Sequence, residues 1–471
     1  MEYSLKGILR ELVSYKSGLL GIVLIILLVG LSIYTVITLP ADEAIRLWRG
    51  EGGIWLENPR NAAPEWIEIF AGKKLSRTIK VDSREKRFGV IKAVTPIVGT
   101  DFKKIHIELT FNYKYDDFPS ELNLFFDAKF NPKGNRPLLK IYWKRPDGTE
   151  IKLIDYTLRS GDDRFYLSIN EQVFNTLSSY VVEKTGVEPG ETVTTVELLF
   201  GKYNEGLATG DVEVEKGTYK LIIDATVFDK KDDVDLRMVV YGNVYGIAGT
   251  DHLRRPLEIA LLWGTPVALA FGLTASLVTS ILQLIIATIS GWYGGIVDSV
   301  IQRITEIYMI LPFLPFLIMI SAFYKIDIWV LLAVVIVLSI FGGGVKSTRA
   351  LVMQIKEYPY VEAAKAYGAS NTRIIFLYLI PKILPPLVPG LISAVPGYVF
   401  LEAALSFLGL GDPYLPTWGK IINDAQTNGA LYKGYFYWVL EPSFFLILTA
   451  LAFAFLGFAL DKIVNPRLRE M

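Results

Sequence analysis

The sequence predicts a membrane protein of all-α class, with six spans, interrupted by one large inserted all-β domain outside the bilayer. Three observations predict it. Uncharged apolar runs long enough to cross a hydrocarbon core recur along the chain, whereas most of the charge lies between Asp42 and Arg237. Within that charged region the apolar residues alternate with polar ones at period two. Across all 471 residues the hydrophobic share is 52% and the mean hydropathy +0.37, beyond the usual range of soluble domains.

The first run, Gly18–Leu39, carries no charge and ends in "ITLPADEA", which reads as an uncleaved anchor rather than a secretory signal. Five further runs follow: Ile259–Ile289, Ile307–Phe323, Ile328–Val345, Ile383–Leu410 and Pro442–Leu460. The third and fourth spans are separated only by "YKID" and predict a hairpin. Lys6, Arg10 and Lys16 at the N-terminus, six cations in 346–382, and Lys462, Arg467 and Arg469 in the tail fall on one side of a six-span chain. The excess of Lys and Arg marks that side as cytoplasmic, which leaves 41–250 outside. The expected domains are 1–40 (tail and first span), 41–250 (β-rich, extracytoplasmic) and 251–471 (a five-helix core with a cytoplasmic loop at 346–382).

In the outer region "KIHIELTFNY", "LNLFFDAKF", "LKIYWK", "TVTTVELLFG", "TYKLIIDATVF" and "VDLRMVVYG" predict strands, "KRPDGTE" a turn, and "INEQVFNTLSSYVVEKTG" the one helix of a β-sandwich. Residues 41–74, with Trp48, Trp55 and Trp66, are expected to form a helical or loop link packed on the membrane surface. Asp229, Asp232, Asp233 and Asp235 cluster without EF-hand spacing, which favours a solvated hairpin tip over a calcium site. His106, between Ile105 and Ile107, reads as an outward strand residue.

Composition excludes several functions. The chain has no cysteine, so disulfides and thiol chemistry are absent; two histidines, His106 and His252, do not make a multi-histidine metal site. Zero net charge gives no bulk attraction to nucleic acid. "GGGVKST" at 342–348 resembles a phosphate loop but has Val345 where a glycine must precede Lys346. No catalytic constellation stands out, so the chain is expected to be a transport subunit and not an enzyme, with no cofactor or metal of its own.

One charged, helix-prone stretch interrupts the spans: "EYPYVEAAKAYGASNTRIIFLYLIP", 357–381. Pro359 suits a first helical turn, Gly368 a left-handed cap, and Ser370 the start of a second helix; Pro381, Pro385, Pro386 and Pro389 then predict a turn into the fifth span. Ala363, Ala364 and Ala366 leave a small-residue surface for another protein to approach. Farther on, Glu402 is an ionisable group at membrane depth, where it either lines a path or bonds a neighbouring helix. Trp418 reads as an interface anchor, and Asp298, Arg303 and Glu306 as a charge cluster on one helix face.

The pattern Glu362-Ala363-Ala364, three residues, Gly368, nine residues and a closing Pro381 resembles the EAA loop of permeases in binding-protein-dependent ABC importers, with Tyr378 and Ile380 in place of isoleucine and leucine. "GTDHLRRPLEIALLWGTPVALAFGLTA", "GWYGGIVDSVIQRITEIYMILPFL", "LEAALSFLGLGDPYLPTWGKIINDA" and "NPRLRE" are similar, in order, to the C-type subunit of the dipeptide/oligopeptide branch. Arg254 and Pro256 stand where that branch has glycine and aspartate, and its members have only a short loop in place of 42–246.

The resemblance implies the type I importer permease fold and a peptide cargo, with oligosaccharides or nickel chelates as alternatives. It implies a second permease subunit, two ATP-binding subunits that use ATP and magnesium, and an extracytoplasmic substrate-binding protein, in a prokaryotic cytoplasmic membrane. Glu362, Ala363, Ala364, Gly368 and Pro381 would then couple to the ATPases, and Glu402 would lie on the translocation path. A membrane-anchored binding module needs only one span, and a secondary transporter would show inverted repeats, which this sequence lacks.

Overall fold

A computed structural model describes residues 5–132, 134–324, 327–412 and 414–464. Lys325 and Ile326 of the "YKID" link and the tail with "NPRLRE", Arg467 and Arg469 lie outside the described residues. The chain forms two compact units, one comprising residues up to Glu51 and from Leu257 onward, the other Gly52–Pro256.

The first unit begins with α1 (Leu5–Ser14), α2 (Lys16–Thr38) and α3 (Ala41–Arg49). At 23 residues, α2 is about 34 Å long, enough for a hydrocarbon core of about 30 Å. The expected link at 41–74 divides between the units. Its Trp48 lies in α3 and is buried at 2% exposure, whereas Trp66 is half exposed.

The second unit is a β-sandwich. It runs α4 (Glu68–Ala71), β1 (Ile79–Asp82), β2 (Val90–Pro96), β3 (Lys103–Tyr113), β4 (Glu121–Lys129), β5 (Leu138–Lys144), β6 (Glu150–Thr157), β7 (Asp162–Tyr166), α5 (Glu171–Thr185), α6 (Thr195–Phe200), α7 (Gly206–Thr209), β8 (Gly217–Val227) and β9 (Asp233–Tyr241). One antiparallel sheet has the order β1-β9-β4-β7, the other β2-β3-β8-β5-β6. The alternation works as expected in β3, where Ile105, Ile107, Leu109, Phe111 and Tyr113 enter the core while Lys104, His106 and Glu108 do not. Leu122, Leu124 and Phe126 come to the same core from the other sheet.

"TVTTVELLFG" is a correction: it forms α6, not a strand. Thr194 accepts from the Glu197 amide at 3.3 Å while the Glu197 carboxylate accepts from the Thr194 amide at 2.6 Å. This reciprocal cap fixes a helix start and overrides the β-branched composition. Val196, Leu198, Leu199 and Phe200 all sink into the sandwich core.

The first unit resumes with α8 (Leu257–Tyr293), α9 (Gly295–Ile310), α10 (Phe313–Phe323), α11 (Ile328–Ser339), α12 (Gly343–Ile355), α13 (Pro359–Ala366), α14 (Asn371–Ile374), a π-helical turn (Ile375–Leu379), α15 (Ile380–Phe407), α16 (Trp418–Thr427) and α17 (Tyr437–Val464). Among the described residues, four stretches are single helices long and apolar enough to cross a membrane: α2, α8, Asn371–Phe407 and α17. Two bent pairs, α9 with α10 and α11 with α12, bring the total to six if each counts as one span.

The expected third span is therefore broken, by 78°. Pro312 pushes Leu311 out of the helical region, to φ −60° and ψ 128°. The fourth bends by 48° at the glycine run. There the Gln283 side-chain amide bonds the Ser339 carbonyl at 2.8 Å, and a Cβ on Gly344 would lie 1.9 Å from Gln283 Oε1. Close approach of a glutamine, not phosphate binding, accounts for glycine at 344.

The prolines after 380 are a second correction. They make no turn; the helix runs unbroken from Asn371 to Phe407. Pro381 falls in the first turn of α15, directly after the π turn in which the Ile380 amide reaches back to the Ile375 carbonyl. The π turn already interrupts the regular ladder before Pro381, and the prolines farther on are tolerated where neighbouring spans re-satisfy the freed carbonyls.

Candidate functional site

The interrupting segment folds as helix, cap, helix. Pro359 opens α13, whose two buried side chains are Val361 and Ala364. Gly368 has φ +78°; its amide bonds the Lys365 carbonyl at 2.9 Å, and the Ala369 amide bonds the Ala364 carbonyl at 3.0 Å. These two bonds close a Schellman cap, which requires a left-handed residue at 368. Ser370 then accepts from the Arg373 amide at 3.3 Å and starts α14.

The seat of α13 is apolar and drawn from four helices. Val361 and Ala364 pack with Leu284 of α8, Val352 and Ile355 of α12, Ile374 of α14, and Ile383 of α15. Lys365 adds a cation–π contact, its Nζ 4.6 Å from the Trp292 ring centre. Ala364 lies in this seat, 6% exposed. Glu362, Ala363, Ala366 and Tyr367 make the exposed face, with Tyr367 93% exposed. Pro381 is exposed one helix later.

Sequence reasoning missed the clamp beside this seat. Asp298 pairs not with Arg303 on its own helix but with Arg349 of α12. Arg349 Nε donates to Asp298 Oδ1 at 2.6 Å, its Nη2 to Oδ2, and Ser290 Oγ bonds Oδ1 at 2.5 Å. Lys356 Nζ caps the Gly291 carbonyl at 3.3 Å. The end of α8, the start of α9 and the middle of α12 are joined at one carboxylate, through Ser290, Asp298 and Arg349. Arg303 keeps its helix-face contact with Glu306, at 3.3 Å.

Glu402 is 1% exposed on α15. Its Oε1 accepts from Ser406 Oγ at 2.7 Å, and Thr417 hydrogen-bonds the same carboxyl. Trp418 is no interface anchor. It is 1% exposed, donates to the Leu261 carbonyl of α8 at 2.9 Å, and stacks on Phe445 of α17 at 5.6 Å.

In the sandwich unit the acidic cluster serves its own turn. Asp229 accepts from the Lys231 amide and Asp232 from the Asp229 amide, while Lys92 Nζ bonds Asp233 at 3.0 Å and Asp235 at 2.7 Å. Among the described residues no group of three or more His, Asp or Glu side chains is placed to hold a metal ion. His106 sits between Asp224, at 2.6 Å, and Glu108, at 3.3 Å; the hydrogen bond to Asp224 raises its pKa above the ordinary histidine value.

The elbow at 249–256 has two left-handed residues, Gly249 and the non-glycine Arg254. Arg254 has φ +66°, and its guanidinium bonds the Asn58 carbonyl at 2.7 Å and Glu121 at 2.6 Å while lying 4.5 Å from the Tyr241 ring centre. Those contacts offset a backbone strain of about 1–2 kcal/mol.

Comparison with known proteins bears on the helical unit. Residues 283–470 match the family described as binding-protein-dependent transport system inner membrane component. A dipeptide transport system permease protein of Bacillus subtilis is 32% identical over 225 residues, 47% of this chain and 69% of that protein. An oligopeptide transport system permease protein of the same organism is 29% identical over 226 residues, 47% of this chain and 72% of its own length. A glutathione transport system permease protein of Pectobacterium atrosepticum is 28% identical over 225 residues, 47% and 73% respectively.

Proposed function

We infer the working of this chain from one premise: it belongs to the family of binding-protein-dependent ABC importer permeases, in the dipeptide/oligopeptide branch, and is a non-catalytic, multi-pass membrane subunit of the type I importer fold. Its cargo is peptides, as the names of its relatives suggest. It pairs with a second permease subunit, receives cargo from an extracytoplasmic binding protein, and rests on two ATPase subunits that use ATP and magnesium. The N-terminus, the 346–382 segment and the C-terminus face the cytoplasm of a prokaryotic cell, and 41–250 the outside, in keeping with the distribution of Lys and Arg.

The observation that carries the mechanism is the seat of α13. Glu362, Ala363 and Gly368 lie on its exposed side or cap, where an ATPase groove can take the helix. Ala364 and Val361 fix it to α8, α12 and the start of α15. A displacement of α13 therefore moves three long elements together. ATP binding closes the ATPase pair and biases these helices between inward- and outward-facing states; the hydrolysis chemistry stays in the partner chains. Pro381 marks where the second helix of the loop enters the span. Glu402 is proposed to border the translocation path, held in place by Ser406 and Thr417.

The test is reconstitution of the two permeases and two ATPases in proteoliposomes with the cognate binding protein. Glu362→Arg or Gly368→Pro should insert normally yet hydrolyse ATP without matched peptide uptake. Normal uptake by both variants removes the coupling assignment. The ligand that copurifies with the binding protein decides between peptides and oligosaccharides or nickel chelates.

A further inference from the structure

The β unit carries an exposed apolar cluster that its own core does not use. Trp66 is 45% exposed, Ile69 80%, Phe70 79% and Ile247 77%. These four are not scattered. Trp66 and Phe70 meet edge to face with ring centres 6.4 Å apart, and Trp66 Nε1 donates to the Ile247 carbonyl at 2.9 Å. The one polar atom of the indole is thereby satisfied within the chain, so its remaining surface can leave water without an unpaired donor.

The cluster sits at the end of the unit where the chain enters and leaves. Incoming residues 58–65 run beside outgoing residues 243–254: Ala63 amide to Asn243 carbonyl at 2.8 Å, Glu65 amide to Gly246 carbonyl at 2.9 Å, Thr250 Oγ1 to Pro59 carbonyl at 2.8 Å. Beyond this paired stalk each strand continues within a few residues into the helical unit, at Glu51 on one side and Leu257 on the other. Lys73 and Lys74 lie three and four residues beyond Phe70, with Lys73 Nζ 3.1 Å from Asp117. Aromatic and branched side chains, a satisfied indole N–H, flanking lysines and two covalent tethers toward membrane helices are the features of a segment lying in a lipid headgroup region.

We propose that Trp66, Ile69, Phe70 and Ile247 form an interfacial lipid anchor, which seats the stalk of the β unit in the bilayer surface. It holds whatever cargo the transporter carries.

The cysteine-free chain makes the test direct. Single cysteines are placed at Ile69, Phe70 and Ile247, with Val98, 99% exposed on the β2–β3 turn, as control. Each is nitroxide-labelled in the full chain in nanodiscs of mixed zwitterionic and anionic phospholipid, and accessibility to oxygen and to a water-soluble nickel chelate is compared. The expected result is a severalfold higher oxygen-to-nickel ratio at 69, 70 and 247 than at 98, with the difference lost in lipid-free amphipol. Ratios equal to that at 98 overturn the anchor. Labels that are wet in the chain alone and shielded only once the second permease or the binding protein is added overturn it too, and assign the cluster to a protein partner.

Discussion

Gly368 offers the sharpest test of how the proposed coupling segment is built. Its φ of +78° lets the two cap bonds, Gly368 to Lys365 and Ala369 to Ala364, close the end of α13. A Cβ built at this position meets nothing within 4 Å, so crowding contributes nothing to the cost of substitution. What remains is backbone strain, about 1–2 kcal/mol for an ordinary L-residue in the left-handed region and less for asparagine. That range corresponds to a factor of about 5–30 in the equilibrium between capped and frayed ends. Proline, with φ near −65°, cannot adopt the cap at all. In proteoliposomes containing the complete transporter, peptide taken up per ATP hydrolysed should therefore fall in the order Gly, Asn, Ala, Pro. Asparagine is the larger side chain, so Asn above Ala separates conformation from size. Alanine equal to glycine, or asparagine below alanine, would refute the reasoning.

Three further outcomes follow from the same geometry. Asp298→Asn and Arg349→Gln should each weaken coupling, and a double-mutant cycle on unfolding of the purified chain should return an interaction of about 1–3 kcal/mol between them; additivity would remove the clamp. Glu402→Gln should lower uptake of peptides with a free amino terminus more than it lowers the melting temperature, since glutamine can still accept from Ser406; unchanged uptake of every substrate takes Glu402 off the path. In the sandwich, the bond to Asp224 raises the His106 pKa above its ordinary value near 6.5, so the stabilisation is complete below about 6.5 and is lost as pH rises through the higher folded value. The β unit should melt at lower temperature at alkaline than at mildly acidic pH, and His106→Gln should flatten that slope.

The parts of the fold legible in the sequence were those set by local chemistry. Apolar run length located the helices, period-two alternation located β3, β4, β5, β8 and β9, and Pro359, Gly368 and Ser370 announced the ends of α13 and α14. The failures were of two kinds. In "TVTTVELLFG" and at Leu311–Pro312 the deciding signal is local, a capping box and a pre-proline residue, and it prevails over the apolar pattern. The prolines after 380 would end a helix in water, whereas a π turn and neighbouring spans accommodate them in α15. Other features are matters of tertiary placement. Arg349 reaches Asp298 across 51 positions, Trp418 is buried between α8 and α17, and Ala364 turns inward while Ala363 does not. No spacing rule distinguishes adjacent alanines until the helix is seated.

That difference between neighbours supplies the most direct test of the central claim, that ATP-driven motion enters this subunit through the exposed face of α13. Single cysteines at Ala363 and Ala364 of the cysteine-free chain are each offered to a short crosslinker in the assembled transporter, with and without ATP. The expected result is a nucleotide-dependent crosslink to an ATPase subunit from 363 and none from 364. Equal crosslinking from both positions, or none from 363 in a transporter that hydrolyses ATP and takes up peptide, would contradict it.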